Sequence, residues 1–302
     1  PMKKTARRRV LVIYNPTAGR RRTALLNATL AALEGAGAQP RLRPTSERGD
    51  AEAFAREASP ERWDAVVAAG GDGTINEVVN GLAGSSVPMG IIPLGTANVL
   101  AREIGLPAAP EELARTIVGG VSRGVRVGSV DGRLFSIMAG IGFDARVVDG
   151  MSLAAKRGVG RWAYGAESVK QVLLPLPPPF EIEVDERRCA AQGAIVCKGR
   201  LYGGSFVCAP EADIEKPSFE VALIRPGGRL TLLQAALALF SGRLARSGAA
   251  HIVTATRVRA LEPRGAPIQA DGDVVGRTPA RITIDPRPLL LLAPSSPGRR
   301  GR

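Results

Sequence analysis

Gly70-Gly71-Asp72-Gly73-Thr74 stands directly after an apolar run (AVVAA, 65–69) and directly before a segment with helical spacing. Glycines at these positions let a backbone turn sharply and approach a ligand closely. A helix beginning near Thr74 would aim its free N–H groups and its dipole at the loop, which favours phosphate. Asp72 adds a carboxylate beside such a site. That makes electrostatic sense with a bridging cation, usually Mg2+, or with a hydroxyl donating to the carboxylate. The same residues would equally make a plain glycine turn with Asp72 as helix cap. A second loop, PLGTAN at 93–98, has the same strand-to-helix setting and offers Thr96 and Asn98. NPTAG at 15–19 is a third, and Thr45 follows a further extended stretch. Ligands of open α/β sheets bind at the carboxyl ends of strands. Polar and glycine-rich loops gathered there point to a nucleotide-phosphate site. The chain has no G-x-x-x-x-G-K-[ST] and no G-x-G-x-x-G in its first strand-to-helix turn, which excludes a P-loop enzyme and disfavours a dinucleotide fold.

Other residue types exclude more than they suggest. Cys189, Cys197 and Cys208 lack C-x-x-C spacing, so neither a zinc site nor a disulfide framework is expected. The single histidine, His251, has no G-x-S-x-G partner for a hydrolase and reads as a strand or loop residue. Asp271-Gly272-Asp273, taken by itself, reads as a hairpin turn.

The elements that must position these loops follow from periodicity. Strand-like runs at 10–14 (VLVIY), 65–69 and 89–92 alternate with helical segments at 24–33, 49–58, 75–82 and 97–104; a proline-bounded extended stretch occupies 40–44. On the 75–82 segment Ile75, Val78, Val79 and Leu82 share one face. This order predicts a parallel sheet covered by helices. Beyond about residue 125 strands dominate: 125–130 and 135–139 about an Asp131-Gly132 turn, then 180–184, 194–197, 205–209, 219–224, 251–254, 257–260 and 281–284. Helices are expected at about 163–174, before a proline cluster at 175–179, and at 230–241. The second half thus reads as a mainly-β sandwich or barrel.

The chain has 302 residues, 45% hydrophobic, enough for about two domains. Its 41 basic and 28 acidic residues leave a net charge of +13. That suits nucleic acid, anionic lipid or a phosphorylated ligand. Aromatics at 4% supply few stacking platforms for single strands, and no zinc-finger or RNP signature occurs, so nucleic acid is not expected. The apolar run at 230–240 is too short for a bilayer, which needs about 20 residues. No apolar h-region follows the basic start, so a cytoplasmic location is expected.

Taken in order, VLVIYNPTAG (10–19), Thr45 with Gly49-Asp50-Ala51, GGDGTINEVVNGL (70–82), IPLGTANVLAR (92–102), GIGFDA (140–145), Tyr202-Gly203-Gly204 and QADGD (269–273) resemble the diacylglycerol kinase catalytic-domain family. That family includes sphingosine and ceramide kinases. GGDGT alone is shared with NAD kinases and phosphofructokinases; its pairing with PLGTAN is far more specific. The resemblance implies an N-terminal α/β nucleotide-binding domain over 1–128, rejoined by the segment from about 285 to 302, and a C-terminal β-sandwich domain over 129–284. It implies transfer of the γ-phosphoryl group of ATP to a lipid hydroxyl, with Mg2+. By similarity, Asn15, Pro16, Thr17, Ala18, Gly19, Thr45, Gly70, Gly71, Asp72, Gly73, Thr74, Ile75, Asn76 and Thr96 would hold ATP, in a cleft between the domains. Asp72, with Asp271 and Asp273, would be the catalytic carboxylates; Asp72 would meet the catalytic Mg2+, and the late pair includes the general base.

Three positions depart from the family pattern. Val99 replaces a common Asp in the PLGTAN loop. Asp273 replaces a Glu and is one methylene shorter. The segment that in the family holds a second, structural Mg2+ reads Lys216-Pro217-Ser218-Phe219-Glu220 here. Its ligand Asp is gone, so the second metal site is expected to be lost, with Lys216 supplying charge instead. The expected partners are a lipid substrate, an anionic membrane surface bound peripherally, and a second copy in a homodimer. The competing readings are a kinase of a soluble hydroxyl acceptor such as NAD, and a non-catalytic nucleotide- or lipid-binding regulator.

Overall fold

Strands β1 (Arg9–Tyr14), β3 (Ala65–Gly70) and β4 (Met89–Pro93) are near-continuous runs of buried aliphatic and small residues. That is the pattern of strands covered on both faces. The computed structural model describes residues 6–18, 22–150, 167, 170–171, 174, 176 and 178–295. They divide into two units, one running to Val125 and resuming at Arg287, the other spanning Arg126–Pro286.

In the first unit β1 pairs in parallel with β2 (Gln39–Pro44) and with β3, and β3 pairs in parallel with β4. β2 holds the sheet edge, where its prolines are tolerated. The chain crosses over β1 between β2 and β3, so strand order reverses between β1 and β3. Ligand crevices of α/β sheets open at such a reversal. Helices α1 (Thr23–Gly35) and α5 (Pro110–Gly119) cover one face, packing Leu26, Leu33 and Ile117 on Val10, Val12, Val67 and Ile92. Helices α2 (Asp50–Arg56) and α3 (Asp72–Gly81) pack on each other and on β1 and β3. Helix α4 (Val99–Glu103) is one short turn after the PLGTAN loop. The final strand, β20 (Leu289–Ala293), lies between β4 and β5 (Val121–Val125), parallel to the first and antiparallel to the second.

The second unit is a two-sheet antiparallel structure. One sheet orders β10 (Arg187–Ala191), β9 (Phe180–Val184), β16 (Arg257–Glu262), β19 (Ala280–Ile284), β6 (Gly128–Val130) and β7 (Arg133–Phe135). The other orders β15 (Ala250–Ala255), β14 (Phe219–Ile224), β11 (Gly193–Cys197), β8 (Met138–Gly142), β17 (Pro267–Ala270) and β18 (Asp273–Arg277). Phe135, Phe180, Phe219, Ile141, Val196, Val258 and Ile282 join their inner faces in one core. Helix α6 (Phe143–Gly150) follows β8. Helix α7 (Gly228–Phe240) follows β14, and a short ribbon of β12 (Leu201–Tyr202) and β13 (Phe206–Val207) touches it, with Phe206 edge-on to Phe240 at 5.2 Å.

Several sequence expectations change here. The strand expected at 125–130 is two, because the Arg126 N–H turns aside to the Ile214 carbonyl at 2.7 Å. The strand expected at 135–139 breaks after Phe135, because a carboxylate takes the next N–H groups (below). The Asp131-Gly132 turn stands where expected, both residues at positive φ. The strand expected at 205–209 shrinks to two residues, since the Cys208 N–H folds back to the Arg200 carbonyl. Helices α5 and α6 and strands β5, β10, β12, β17, β18 and β20 are additional. The helix expected at 163–174 and the prolines after it fall largely outside the described residues.

Asp64 ties the bottom of β1 to that of β3. It accepts the N–H groups of Arg8 and Arg9 at 2.9 and 2.8 Å and the Arg9 guanidinium at 2.6 and 3.1 Å. The Arg9 side chain is the main reason its carboxyl lies at about 2. A folded-state value below the unfolded one means stability that is present above about pH 4 and lost as pH falls towards 2. Asp64→Asn is expected to flatten the fall in melting temperature between pH 4 and 2, followed by circular dichroism. Parallel profiles for the two proteins would show that the contact contributes nothing in acid.

Candidate active site

The loop after β1 is shaped by Asn15. Its Oδ1 accepts the Thr17 N–H and hydroxyl, both at 2.9 Å, and the Ala18 N–H at 3.3 Å, which folds residues 15–18 into an Asx turn around Pro16. Its Nδ2 reaches the Thr74 hydroxyl at 3.3 Å, joining this loop to the start of α3. Gly19 lies outside the described residues. Thr45 leaves β2 beside the end of β1, donating its N–H to the Tyr14 carbonyl at 2.8 Å. Asp50 orders the following turn by accepting the Ser46 N–H and hydroxyl and the Glu47 N–H, contacts that hold its carboxyl below the usual range.

The centre of the first unit's site is a clamp between two loops. Asp72 Oδ2 accepts the Asn98 N–H at 2.8 Å, and Oδ1 accepts the Val99 N–H at 2.7 Å. The Gly70 carbonyl accepts the N–H groups of Leu94 and Gly95 at 3.0 and 3.2 Å. Gly95 lies so close to Gly71 that a Cβ on it would stand 2.5 Å from the Gly71 Cα. Asn98 holds a left-handed conformation at φ 45°, and its Nδ2 closes onto the Gly95 carbonyl at 2.8 Å. The loop geometry therefore survives the valine at position 99, because the backbone N–H of Val99, not its side chain, makes the contact.

These loops bring Asn15, Pro16, Thr17, Ala18, Thr45, Gly70, Gly71, Asp72, Gly73, Thr74 and Thr96 to the carboxyl ends of β1, β3 and β4 and the turn after β2. Ile75 is different: its side chain is buried in the core, so only its backbone belongs to the loop. Asn76 accepts from Asn80 at 3.1 Å, one turn further along α3. Arg22 donates to the Pro93 carbonyl at 3.1 Å and adds a cation at this rim.

In the second unit Asp271 and Gly272, at φ 48° and 91°, form the two-residue turn between β17 and β18. The Asp271 carboxylate accepts four bonds: Ser136 N–H at 2.7 Å, Ser136 hydroxyl at 2.9 Å, Ile137 N–H at 3.0 Å and Met138 N–H at 3.1 Å. The Gly272 N–H donates to Gln269 Oε1 at 2.9 Å, and Gln269 Nε2 donates to Asp144 at 2.7 Å. Tyr202 donates its hydroxyl to the other oxygen of Asp144. Asp144 is fully buried, and burial raises its carboxyl above the usual range. A Cβ on Gly140 would stand 1.7 Å from Asp144 Oδ2, so the glycine makes room for the acid. One network thus joins GIGFDA, the tyrosine of Tyr202-Gly203-Gly204 and QADGD. Asp273 begins β18, half-buried, two residues past the anchored Asp271.

At 213–218 the structure corrects one expectation. The cation at this loop belongs to Lys198, whose ammonium donates to the carbonyls of Asp213, Lys216 and Ser218 at 3.1, 2.6 and 3.1 Å. Lys216 is exposed and lends the loop its carbonyl, not its charge. A lysine directly after a strand ordinarily reaches solvent, so nothing in the sequence alone marks this one.

Residues 9–130 match the diacylglycerol kinase catalytic domain, and residues 137–293 match the YegS C-terminal NAD kinase beta sandwich-like domain. A diacylglycerol kinase of Bacillus subtilis (strain 168) is 31% identical over 283 residues, covering 91% of this chain and 93% of its own. The chain belongs to the diacylglycerol kinase family of lipid kinases. A diacylglycerol kinase of Mycobacterium tuberculosis (strain H37Rv) is 30% identical to this kinase over 246 residues, 76% of this chain and 77% of its own. A crystal structure from Bacillus anthracis str. Sterne shares the kinase's fold, with a TM-score of 0.82 at 22% identity over 98% of this chain and 99% of that one. Membership implies ATP as phosphoryl donor and a lipid as acceptor. Among the described residues no helix of the kinase is long and apolar enough to cross a membrane.

The clamp makes a sharp expectation. Gly95→Ala forces Gly71 and Gly95 apart and is expected to weaken ATP binding at least about tenfold, while the far-ultraviolet spectrum stays unchanged. Asp72→Asn, which turns an N–H donor towards one of two N–H groups, is expected to do the same. ATP affinities within twofold of the wild type, by isothermal titration calorimetry, would show that the loop contact does not shape the nucleotide site.

Proposed function

We propose that this kinase phosphorylates a diacylglycerol-type lipid hydroxyl, with ATP held on the loops at the carboxyl ends of β1, β3 and β4. The observation that carries the nucleotide part is the Asp72 clamp, which fixes two glycine-lined loops at the strand-order reversal between β1 and β3. The acceptor is inferred from the relatives that bear the name diacylglycerol kinase.

Among the described residues no group of three His, Cys, Asp or Glu side chains could hold a metal by itself. Mg2+ carried by ATP takes mainly phosphate and water oxygens and needs one or two protein carboxylates. Asp72 is the acid at these loops that would meet it; the ion would neutralise phosphate charge. Asp72 also acts by positioning, since each of its oxygens holds a backbone N–H.

The two late carboxylates take different roles in this reading. A carboxylate offers about four acceptor sites, and Asp271 has four donors on it. Asp271 is therefore the positioning residue of its turn, and Asp273 is the general base. The lipid hydroxyl oxygen forms a bond to the γ-phosphorus as the bond from that phosphorus to the β–γ bridging oxygen breaks. The hydroxyl proton goes to Asp273, and ADP leaves.

The surface that meets the lipid phase is α7. Leu230, Leu233 and Leu237 recur on one face at 67%, 40% and 62% exposure, while Leu232, Ala235 and Leu239 bury the opposite face. Exposed arginines stand at both ends: Arg225 before it, Arg229 in its first turn, and Arg243 and Arg246 after it. An apolar stripe between cationic ends matches an anionic bilayer surface.

Phosphorylation of a panel of diacylglycerol, ceramide, sphingoid base, glycerol and NAD in mixed micelles tests the acceptor; transfer to diacylglycerol is expected, and transfer only to NAD would overturn the lipid assignment. Asp273→Asn is expected to lower kcat by about 10^2–10^4 with ATP affinity unchanged. A small or absent effect beside a large one in Asp271→Asn would exchange their roles. The Leu230→Gln/Leu237→Gln double variant is expected to lose sedimentation with phosphatidylglycerol vesicles. A change in oligomeric state with vesicle binding intact would make α7 a contact between two copies instead.

A further inference from the structure

Lys198 is completely buried, yet it carries a charge, and a buried charge must be met by partners. Its partners are three backbone carbonyls of one loop, those of Asp213, Lys216 and Ser218, at 3.1, 2.6 and 3.1 Å. An ammonium has three N–H donors and no acceptor. The three donors and the three carbonyls match one to one, so the group is saturated. Burial is the main influence on its pKa and brings it down to about 8; the Asp213 carboxylate opposes that shift and the Arg126 guanidinium adds to it. The group is thus still mostly protonated at neutral pH.

The three carbonyls converge on one point, as oxygen ligands do around a hard cation. In the family that this chain resembles, the corresponding segment holds a structural Mg2+. Here the residues do not fit that ion. The centre of the carbonyl cluster is filled by the Lys198 ammonium, and the segment 216–220 has lysine where the ligand aspartate would stand. We propose that Lys198 is a built-in cation that fastens the 213–218 loop in place of a metal ion, so that this kinase keeps the loop folded without divalent cation. The inference is independent of which lipid is the acceptor.

The backbone explains what the ammonium holds together. Lys198 follows β11, whose Cys197 pairs with Glu220 of β14 on one side and with Met138 of β8 on the other. The N–H groups of Lys198 and Gly199 both donate to the Ile137 carbonyl, at 2.7 and 3.1 Å. The N–H of that same Ile137 donates to Asp271 at 3.0 Å. The Ile214 carbonyl in turn accepts the Arg126 N–H at 2.7 Å. Lys198 therefore links the loop to the backbone segment that seats Asp271.

Two measurements on the nucleotide-free protein test this. The melting temperature of the wild type is expected to be the same, within about a degree, in EDTA and in millimolar MgCl2, and a crystal soaked in MnCl2 is expected to show no anomalous peak at the carbonyls of 213, 216 and 218. Lys198→Met, of similar length but uncharged, is expected to melt at least about 5 °C lower in EDTA. A Mn2+ peak within coordination distance of those carbonyls in the wild type would overturn the proposal, whether or not the variant folds. So would a Lys198→Met protein that melts with the wild type, since the carbonyls would then need no cation.

Discussion

The carboxylate of Asp72 receives two consecutive backbone N–H groups from a loop 26 and 27 residues further along the chain. Hydrogen bonds of this charged kind contribute on the order of 1.5–3 kcal/mol each. They add to the two bonds on the Gly70 carbonyl and the Asn98 side-chain bond to the Gly95 carbonyl in fixing a short, glycine-bearing loop that is followed by α4, only five residues long. The missing side chain of Gly95, the left-handed Asn98 and the bonds to the Gly70 carbonyl are all consequences of that approach. If the two loops separated, the start of α3 and the residues before α4 would lose their fixed spacing at the carboxyl ends of β3 and β4. The family's two most characteristic motifs are thus one object, joined by a side chain of the first and the backbone of the second.

The second unit applies the same chemistry repeatedly. Asp271 gathers N–H groups from three successive residues and ends β7 by doing so. Asp185, at the tip of the β9–β10 hairpin, gathers the N–H groups of Thr256 and Arg257 and the Thr256 hydroxyl. Lys198 is the inverse case, a cation gathering carbonyls. At these three places, where sheet ladders stop, a fixed charge takes over the backbone groups they leave behind, as buried polar groups require.

Much of this was readable from the sequence, and the limits have physical causes. The buried strands of the first unit are continuous aliphatic runs, which announce themselves. The loops carry glycine and asparagine at positions with no other purpose, so GGDGT and PLGTAN pointed to phosphate before any geometry was known. Helix α5 was missed although Pro110, Glu111 and Glu112 are ordinary helix-start residues. Asp271-Gly272 reads as a hairpin turn and is one, but the runs on either side of it, PIQA and DVVGR, are too short and mixed in polarity to stand out as strands. Lys198 and Asp144 were out of reach for a different reason. Their roles depend on partners far away in the chain, and their residue types are those most often found in water.

The strand β20 joins the first unit's sheet between β4 and β5, and β5 touches that sheet only through β20. All 161 residues from Arg126 to Pro286 lie between β5 and the return of the chain to the first unit. A ribosome making this protein therefore releases the nucleotide-binding half first but cannot let it finish. Until the whole sandwich has been synthesised, Val121–Val125 has no neighbour and the inner edge of β4 stays open. Open strand edges recruit other chains. The nascent first half thus carries an open strand edge during the time it takes to make the second, and its sheet closes only when β20 arrives.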